Sequence, residues 1–398
     1  MTTALGVPRL LAGWHETGAP ADLRAHLRRY GPNPPMRGAD LIDAVTRAGL
    51  RGRGGGGFPT GRKLAAVRAG GRRPVVVVNA CEGEPASAKD AALLDLAPHL
   101  VLDGAVLAAT ALGAVEVVVA VHEGSVGEMH VGTAIAERDD PVRVTAVAVP
   151  ARYVASEESA LVHFVDAEDP RPTTGPRPFQ RGVDGRPTLV DNAETLAHLA
   201  LIARFGADWF REVGTPDRPG TYLVTVGGAV REPGVYEVAG GTPPDAVLNT
   251  AGGPARPLQA VLVGGYGGVW AAPGSAPAAG VALLLALPVG TCGLAQTAHL
   301  LRYLAGQSAR QCGPCTFGLP AIAADVADLV RGRGGAALDR LRRRLDVIPG
   351  RGACAHPDGA VRLASSALEV FAGDVAAHVR GRPCRDAGAP PFFPVGRT

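Results

Sequence analysis

Apolar residues at Leu23, Leu27, Leu41, Ile42, Val45 and Leu50 recur at helical spacing on both sides of a proline-rich break, which predicts helices over residues 20–50. A glycine-rich stretch follows. The run Pro74–Asn79 is then almost entirely valine, the pattern of a strand buried on both faces. Ala88–Leu112 predicts a helix and Val115–His122 a second strand; a further helix and a third strand, Val142–Val149, come next. Alternation of this kind builds a parallel sheet covered by helices, with ligands beyond the carboxyl ends of its strands. Asn79–Glu84 occupies such a position.

The periodicity changes in the second half. Pro170–Pro187 is rich in Pro, Gly and Arg and reads as a long ordered loop or a linker. Tyr222–Glu237 alternates around a turn at Glu232, Pro233 and Gly234, a hairpin signal, and Ala260–Gly268 adds another strand. Beyond Gly290 the spacing is helical again, through Ala298, Leu301 and Leu304, then Ile322, Val326 and Leu329, then Leu338, Leu341 and Leu345. The expected layout is an N-terminal helical arm over 1–45, an α/β domain over 46–215 and a small β-rich domain over 218–285. A helical domain over 288–380 and a tail over 381–398 complete it.

Composition narrows the function. A chain of 398 residues exceeds one ordinary core. A net charge of +3 with 19% charged residues and no long basic block excludes a nucleic-acid footprint. The longest apolar stretch, Ala105–Val121, is interrupted by Glu116 and is too short to cross a bilayer. Met1–Gly18 lacks a cationic-then-apolar leader pattern, so the expectation is a cytoplasmic protein without a membrane span. Six cysteines are too few for a disulfide scaffold.

Only two of the 40 basic residues are lysines, Lys63 and Lys89. Lys63 follows glycines 52, 54, 55, 56 and 57, a loop whose backbone N–H groups can close on a phosphate while the ammonium acts as a point charge. No Gly-Lys-Ser/Thr ends the loop, so it is not a Walker sequence. Cys312 and Cys315 form a C-x-x-C with Cys354 further on. Without a surrounding βαβ pattern, a zinc or iron–sulfur site is favoured over a redox dithiol; packing of the cysteines as small hydrophobes is the remaining alternative.

The glycine loop, Asn79–Pro85, Tyr153–Glu158, Gly185–Leu196 and the C-terminal cysteines occur in one order. That order resembles the flavin-bearing, NADH-oxidising component of respiratory complex I (the F-subunit of NADH-quinone oxidoreductase) and its relatives in NAD-reducing hydrogenases and formate dehydrogenases. The resemblance spans residues 40–375. It implies a Rossmann-like FMN-binding α/β domain, a β-grasp soluble-ligand-binding domain and a C-terminal helical iron–sulfur domain. It further implies that Gly52, Gly54 and Lys63 face the FMN phosphate, with Asn79, Glu82, Glu157, Asn192 and Thr195 lining the flavin. Phe58, Glu84, Tyr153, Glu158 and Phe179 match dinucleotide positions, where aromatics can stack on adenine and carboxylates can accept from ribose. Cys312, Cys315 and Cys354 would hold a [4Fe–4S] or [3Fe–4S] cluster. The implied activity is hydride transfer from NAD(P)H to FMN, then single-electron passage through the cluster to a ferredoxin-like or other redox partner within a hetero-oligomer.

Several positions depart from the family pattern. Cys81 stands for Asp, Ser156 for Gly, Asp191 for the first Asn of a pair, Ala66 for an aromatic of the dinucleotide pocket, and Ala309 for the first cluster cysteine. Cys292 and His356 are further donors for a cluster that lacks one thiolate. These departures keep two alternatives open: a ligand-binding or scaffold homologue without NADH turnover, and a flavin-only reductase lacking the cluster.

Overall fold

The computed structural model describes residues 8–71, 73–275, 282–393 and 395. Four parallel strands, β1 (Val75–Asn79), β2 (Glu116–His122), β3 (Arg143–Val149) and β4 (Thr188–Asn192), form a sheet in the order β3-β2-β1-β4. The valines of β1 are all buried, as strands covered on both faces must be. Pairing of β1 with β2 on one side and β4 on the other puts the topological switch between β1 and β4. There Asn79 and Asn192, each closing its strand, are register partners.

The helix expected over Ala88–Leu112 is two helices, Lys89–Leu96 and Pro98–Leu112, bent by 95°. Ala97 has an extended φ of −146°, which fits the residue before a proline, and Pro98 begins the second helix. That second helix is buried along nearly its whole length and packs on the helix Ala193–Arg211. Their close approach depends on Gly104, where a Cβ would fall 1.8 Å from the Leu196 carbonyl oxygen.

The hairpin prediction corresponds to Thr221–Gly228 paired antiparallel with Gly234–Ala239. These strands join Leu258–Val263, Val269–Ala271 and Leu283–Pro288 in a five-stranded mixed sheet, in which Thr221–Gly228 and Leu283–Pro288 are parallel. The strand expected over Ala260–Gly268 ends at Val263, because Gly264 and Gly265 turn at φ of 88° and 91°. Pro170–Pro187 is an ordered loop closed by a short 3-10 turn at Val183–Gly185. The C-terminal helices, from Gly293–Gly306 to Ala372–Val379, share one apolar core with part of the five-stranded sheet. The expected tail is not free: Phe393 is buried in that core and stacks on Trp270 at 6.1 Å. Its last three residues, like residues 1–7 of the expected arm, lie outside the described residues. Among the described residues no single helix is long and apolar enough to cross a membrane.

Candidate active site

The glycine loop is a closed lariat. Gly52 N–H donates to the Phe58 carbonyl at 2.9 Å, Thr60 N–H to Leu50 at 2.9 Å, and Arg51 bridges Pro59. Glycines 55, 56 and 57 protrude, with nothing within 4 Å of where a Cβ would stand. The loop runs into the helix Thr60–Ala69, whose first turn carries no acidic residue and no side-chain cap. An open N-terminal dipole beside bare backbone is an anion cradle. From behind, the Thr195 hydroxyl accepts the Arg53 N–H at 2.9 Å, and Arg53 donates to the Thr221 carbonyl at 2.9 Å. Thr195 is fully buried, so it shapes the loop rather than lining a ligand.

Lys63 stands in the first turn of that helix. Its Nζ donates to the Val190 carbonyl at 2.7 Å and lies 3.3 Å from Glu158 Oε1 and 3.7 Å from Asp191 Oδ1. Burial pushes the Asp191 carboxyl up to about 6, with Lys63 pulling the other way. Asp191 Oδ2 is buried without a partner. Lys89, the other lysine, is no loop cation. It begins a helix, is buried, and contacts Asp90 at 2.6 Å and Glu194 at 3.1 Å. Burial opposes its charge, but Asp90, Glu194 and Glu82 outweigh burial and hold the ammonium above its usual range.

At the switch point the two asparagines are bound to the frame. Asn79 Nδ2 donates to Ser156 O at 2.8 Å and its Oδ1 accepts the Cys81 N–H. Asn192 Nδ2 donates to Asp90 Oδ2 at 2.7 Å, while its Oδ1 accepts from Lys89 and from the Glu194 N–H it caps. Both side-chain amides are hydrogen-bonded inside the protein. Burial pushes Cys81 up to about 12, with Asp90 adding, which keeps it a neutral thiol. Ser156 fits where a glycine was expected because it faces another: a Cβ on Gly83 would lie 2.3 Å from Ser156 Oγ. The Ser156 hydroxyl is turned onto the Tyr153 carbonyl at 3.3 Å.

The acidic residues divide by role. Glu82 accepts from the Ser87 hydroxyl and from Lys89 N–H; burial, with Asp90 adding, raises it to about 7. Glu84 reaches the five-stranded sheet, where Oε2 accepts the Tyr266 N–H at 2.7 Å and the Tyr153 hydroxyl lies 3.5 Å away. Burial raises Glu84 to about 7, and its Oε1 is buried and unpartnered. Glu157 caps the helix Glu158–Ala167 through the Ser159 and Ala160 N–H groups. Phe58 is half exposed under Arg62, a free aromatic face at the lip of the loop. Phe179 packs instead against the main core.

Cys312, Cys315 and Cys354 converge on irregular backbone. Arg310 has a φ of 54°, and Pro314–Gly318 is a π-helical turn, two distortions that cluster at functional sites. Burial opposes a thiolate at Cys312, but the Ala353 N–H and Cys315 outweigh it and lower the thiol. Burial pushes Cys315 up to about 12, reinforced by Cys312 and Cys354. Burial also raises Cys354, and the charge of Glu157 adds to it. Glu157, expected at the flavin, thus lies within electrostatic reach of Cys354, and Tyr153 meets His356 at 5.2 Å. His356 commits Nε2 to the Leu304 carbonyl at 2.8 Å, and Cys292 lies with His378 and Cys384. Ala309 offers no donor; the adjacent Ser308 hydroxyl is buried and unpartnered.

These features fit the two cofactors. An open glycine cradle with an ammonium and an uncapped helix end suits a phosphate, and three mutually interacting thiols suit a three-cysteine iron–sulfur site. The contacts of Lys89, Asp90, Tyr266 and Ser308 were not legible from spacing; the one local signal was the adjacent charge pair Lys89-Asp90 at a helix start.

Comparison with known proteins gives a consistent result. The family model of the Nuo51 FMN-binding domain matches residues 45–201, and that of the NADH-ubiquinone oxidoreductase-F iron-sulfur binding region matches residues 295–378. The NADH-quinone oxidoreductase F-subunit of Streptomyces coelicolor is 32% identical over 399 residues, covering 90% of this chain and 86% of the relative. The alpha subunit of the NAD-reducing hydrogenase HoxS of Cupriavidus necator is 37% identical over 252 residues, 58% of this chain and 41% of its own. In the crystal structure of an NAD+-reducing [NiFe]-hydrogenase in the H2-reduced state, one chain superposes with a TM-score of 0.83 at 28% identity. The match covers 97% of this chain and 69% of that one.

Proposed function

The chain belongs to the family of NADH-quinone oxidoreductase F-subunits, and on that premise we propose how its residues carry out NADH-dehydrogenase-type chemistry within a hetero-oligomer. FMN, when bound, would supply the conversion of one hydride's electron pair into two single electrons. Every other part of the work falls to the protein.

Glycines 52 and 54–57, the first turn of Thr60–Ala69 and Lys63 hold the phosphate. Main-chain groups around Asn79 and Asn192 would receive the flavin at the switch point, with Glu82 as a neighbouring flavin residue. Phe58 takes the adenine face, and Glu84, Glu158 and Tyr153 take the ribose hydroxyls. Glu157, within electrostatic reach of Cys354, marks the side on which electrons leave the flavin for Cys312, Cys315 and Cys354. We propose a ferredoxin-like or other redox protein as the electron acceptor and a cytoplasmic setting. The observation that carries the reading is the pairing of an open glycine cradle with Lys63 at the switch point of a parallel sheet.

Lys63→Ala tests it. Loss of a charge-assisted phosphate contact corresponds to about 2–3 kcal/mol, roughly a hundredfold in FMN affinity. The flavin-to-protein ratio after gel filtration should collapse in Lys63→Ala and recover in part in Lys63→Arg. Full flavin retention in Lys63→Ala would remove the phosphate role from this residue.

A further inference from the structure

Outside the flavin and cluster machinery, three side chains from three segments meet in the helical region. Cys292 caps the helix Gly293–Gly306, its sulfur accepting the Ala295 N–H at 3.4 Å. His378 lies in the last turn of Ala372–Val379 and is fully buried. Cys384 stands on the arm that follows. His378 Nε2 is 3.7 Å from Cys292 Sγ and 3.1 Å from Cys384 Sγ. All three donor atoms fall within 4.8 Å of one another, and among the described residues no other set of three His, Cys, Asp or Glu donors closes so tightly.

The imidazole is oriented for ligation. Its Nδ1 faces the carbonyl oxygens of Leu329 and Val330, both at 3.1 Å. Two acceptors there require the proton on Nδ1, which leaves the Nε2 lone pair directed at the sulfurs. Metal-bound histidines are held in this way, by a hydrogen bond from the ring nitrogen that does not ligate. The Cys384 N–H donates to Nε2 at 3.2 Å, a hydrogen bond that a metal at this nitrogen would displace. Cysteines buried only as small hydrophobes would need no imidazole between them.

We propose that Cys292, His378 and Cys384 form a zinc site, separate from the iron–sulfur cysteines, that fastens the C-terminal arm across the helical region. Two thiolates and an imidazole suit zinc, which takes sulfur at about 2.3 Å and nitrogen at about 2.0 Å in a tetrahedron. That geometry sets sulfur and nitrogen roughly 3.5 Å apart, between the two distances found. Water completes the fourth position, and binding releases the two thiol protons to solvent. The arm so held carries Phe392 and Phe393, whose N–H groups both donate to Gln296 Oε1, and Phe393 stacks on Trp270 of the five-stranded sheet. The site thus joins a helix start, a helix end and the arm at the seam between two structural units.

The test is metal analysis with zinc K-edge absorption spectroscopy on the full chain, purified anaerobically from zinc-supplemented medium. Iron and flavin are silent at this edge. The expected result is about one zinc per chain with two sulfurs at about 2.3 Å and one imidazole. Cys384→Ser should lose that zinc while Cys312→Ser keeps it. The proposal is overturned by wild-type protein without zinc, by zinc that follows Cys312 instead of Cys384, or by a Cys292–Cys384 disulfide in non-reducing peptide mapping. The wild-type spectrum decides even where a variant misfolds.

Discussion

Asp191 shows how a single atom pair can tune this site. Where relatives are expected to carry asparagine, this chain buries a carboxylate 3.7 Å from Lys63, and burial raises it from 3.8 to about 6. A carboxyl whose folded value lies above its unfolded value contributes stability that is fully present below about pH 4 and is lost as pH rises through about 6. Asp191→Asn should therefore match the parent near pH 4 and exceed it above pH 6, by about 3 kcal/mol at most. Thermal melts of both proteins across that range check this; parallel curves would show that Asp191 does not titrate there. The variant also frees Lys63 from one of its two carboxylates, so it should bind FMN more tightly. Lys63 and Lys89 illustrate the limit of reading residues singly. Both stand in glycine- and turn-rich sequence, yet one reaches Val190, Glu158 and Asp191 from the helix after the loop and the other is buried against Asp90 and Glu194. Neighbours distant in sequence, Glu194 above all, decide which is which.

At the scale of elements, the parallel sheet was legible because its valine runs are continuous and separated by helix-length segments. The hairpin Thr221–Ala239 was legible from alternation and a turn signal. The 95° break at Pro98 was less so, since apolar residues continue on both sides of it. The contact between Pro98–Leu112 and Ala193–Arg211 leaves no trace in either segment except Gly104. A side chain there would meet the Leu196 carbonyl, so Gly104→Ala should force the helices apart and cost roughly 3 kcal/mol. A lowered urea midpoint with an unchanged slope would be the signature; an unchanged midpoint would mean that the pair tolerates separation. Gly265 serves a different purpose. Its left-handed turn, φ of 91°, clears the way for Glu84 to reach the Tyr266 N–H, which locks the α/β sheet to the five-stranded sheet. Motif order placed Glu84 at the dinucleotide; only the fold reveals that one of its oxygens holds two units together.

At the scale of the whole molecule, the residues proposed for the dinucleotide and for the cluster lie on either side of a seam. Glu84, Tyr153 and Glu157 come from the α/β unit, Tyr266 from the mixed sheet, and His356 with Cys354 from the helical region. On the proposed assignment, electron transfer would then be a property of the assembled chain, not of any unit alone. The most direct measurement is an anaerobic NADH titration of the full-length holoprotein, followed by visible absorbance and by electron paramagnetic resonance. Flavin absorbance that bleaches on NADH addition, with a reduced iron–sulfur signal appearing in the same titration, is the predicted result. A flavin that stays oxidised, or bleaches while no iron–sulfur signal develops, would contradict the account.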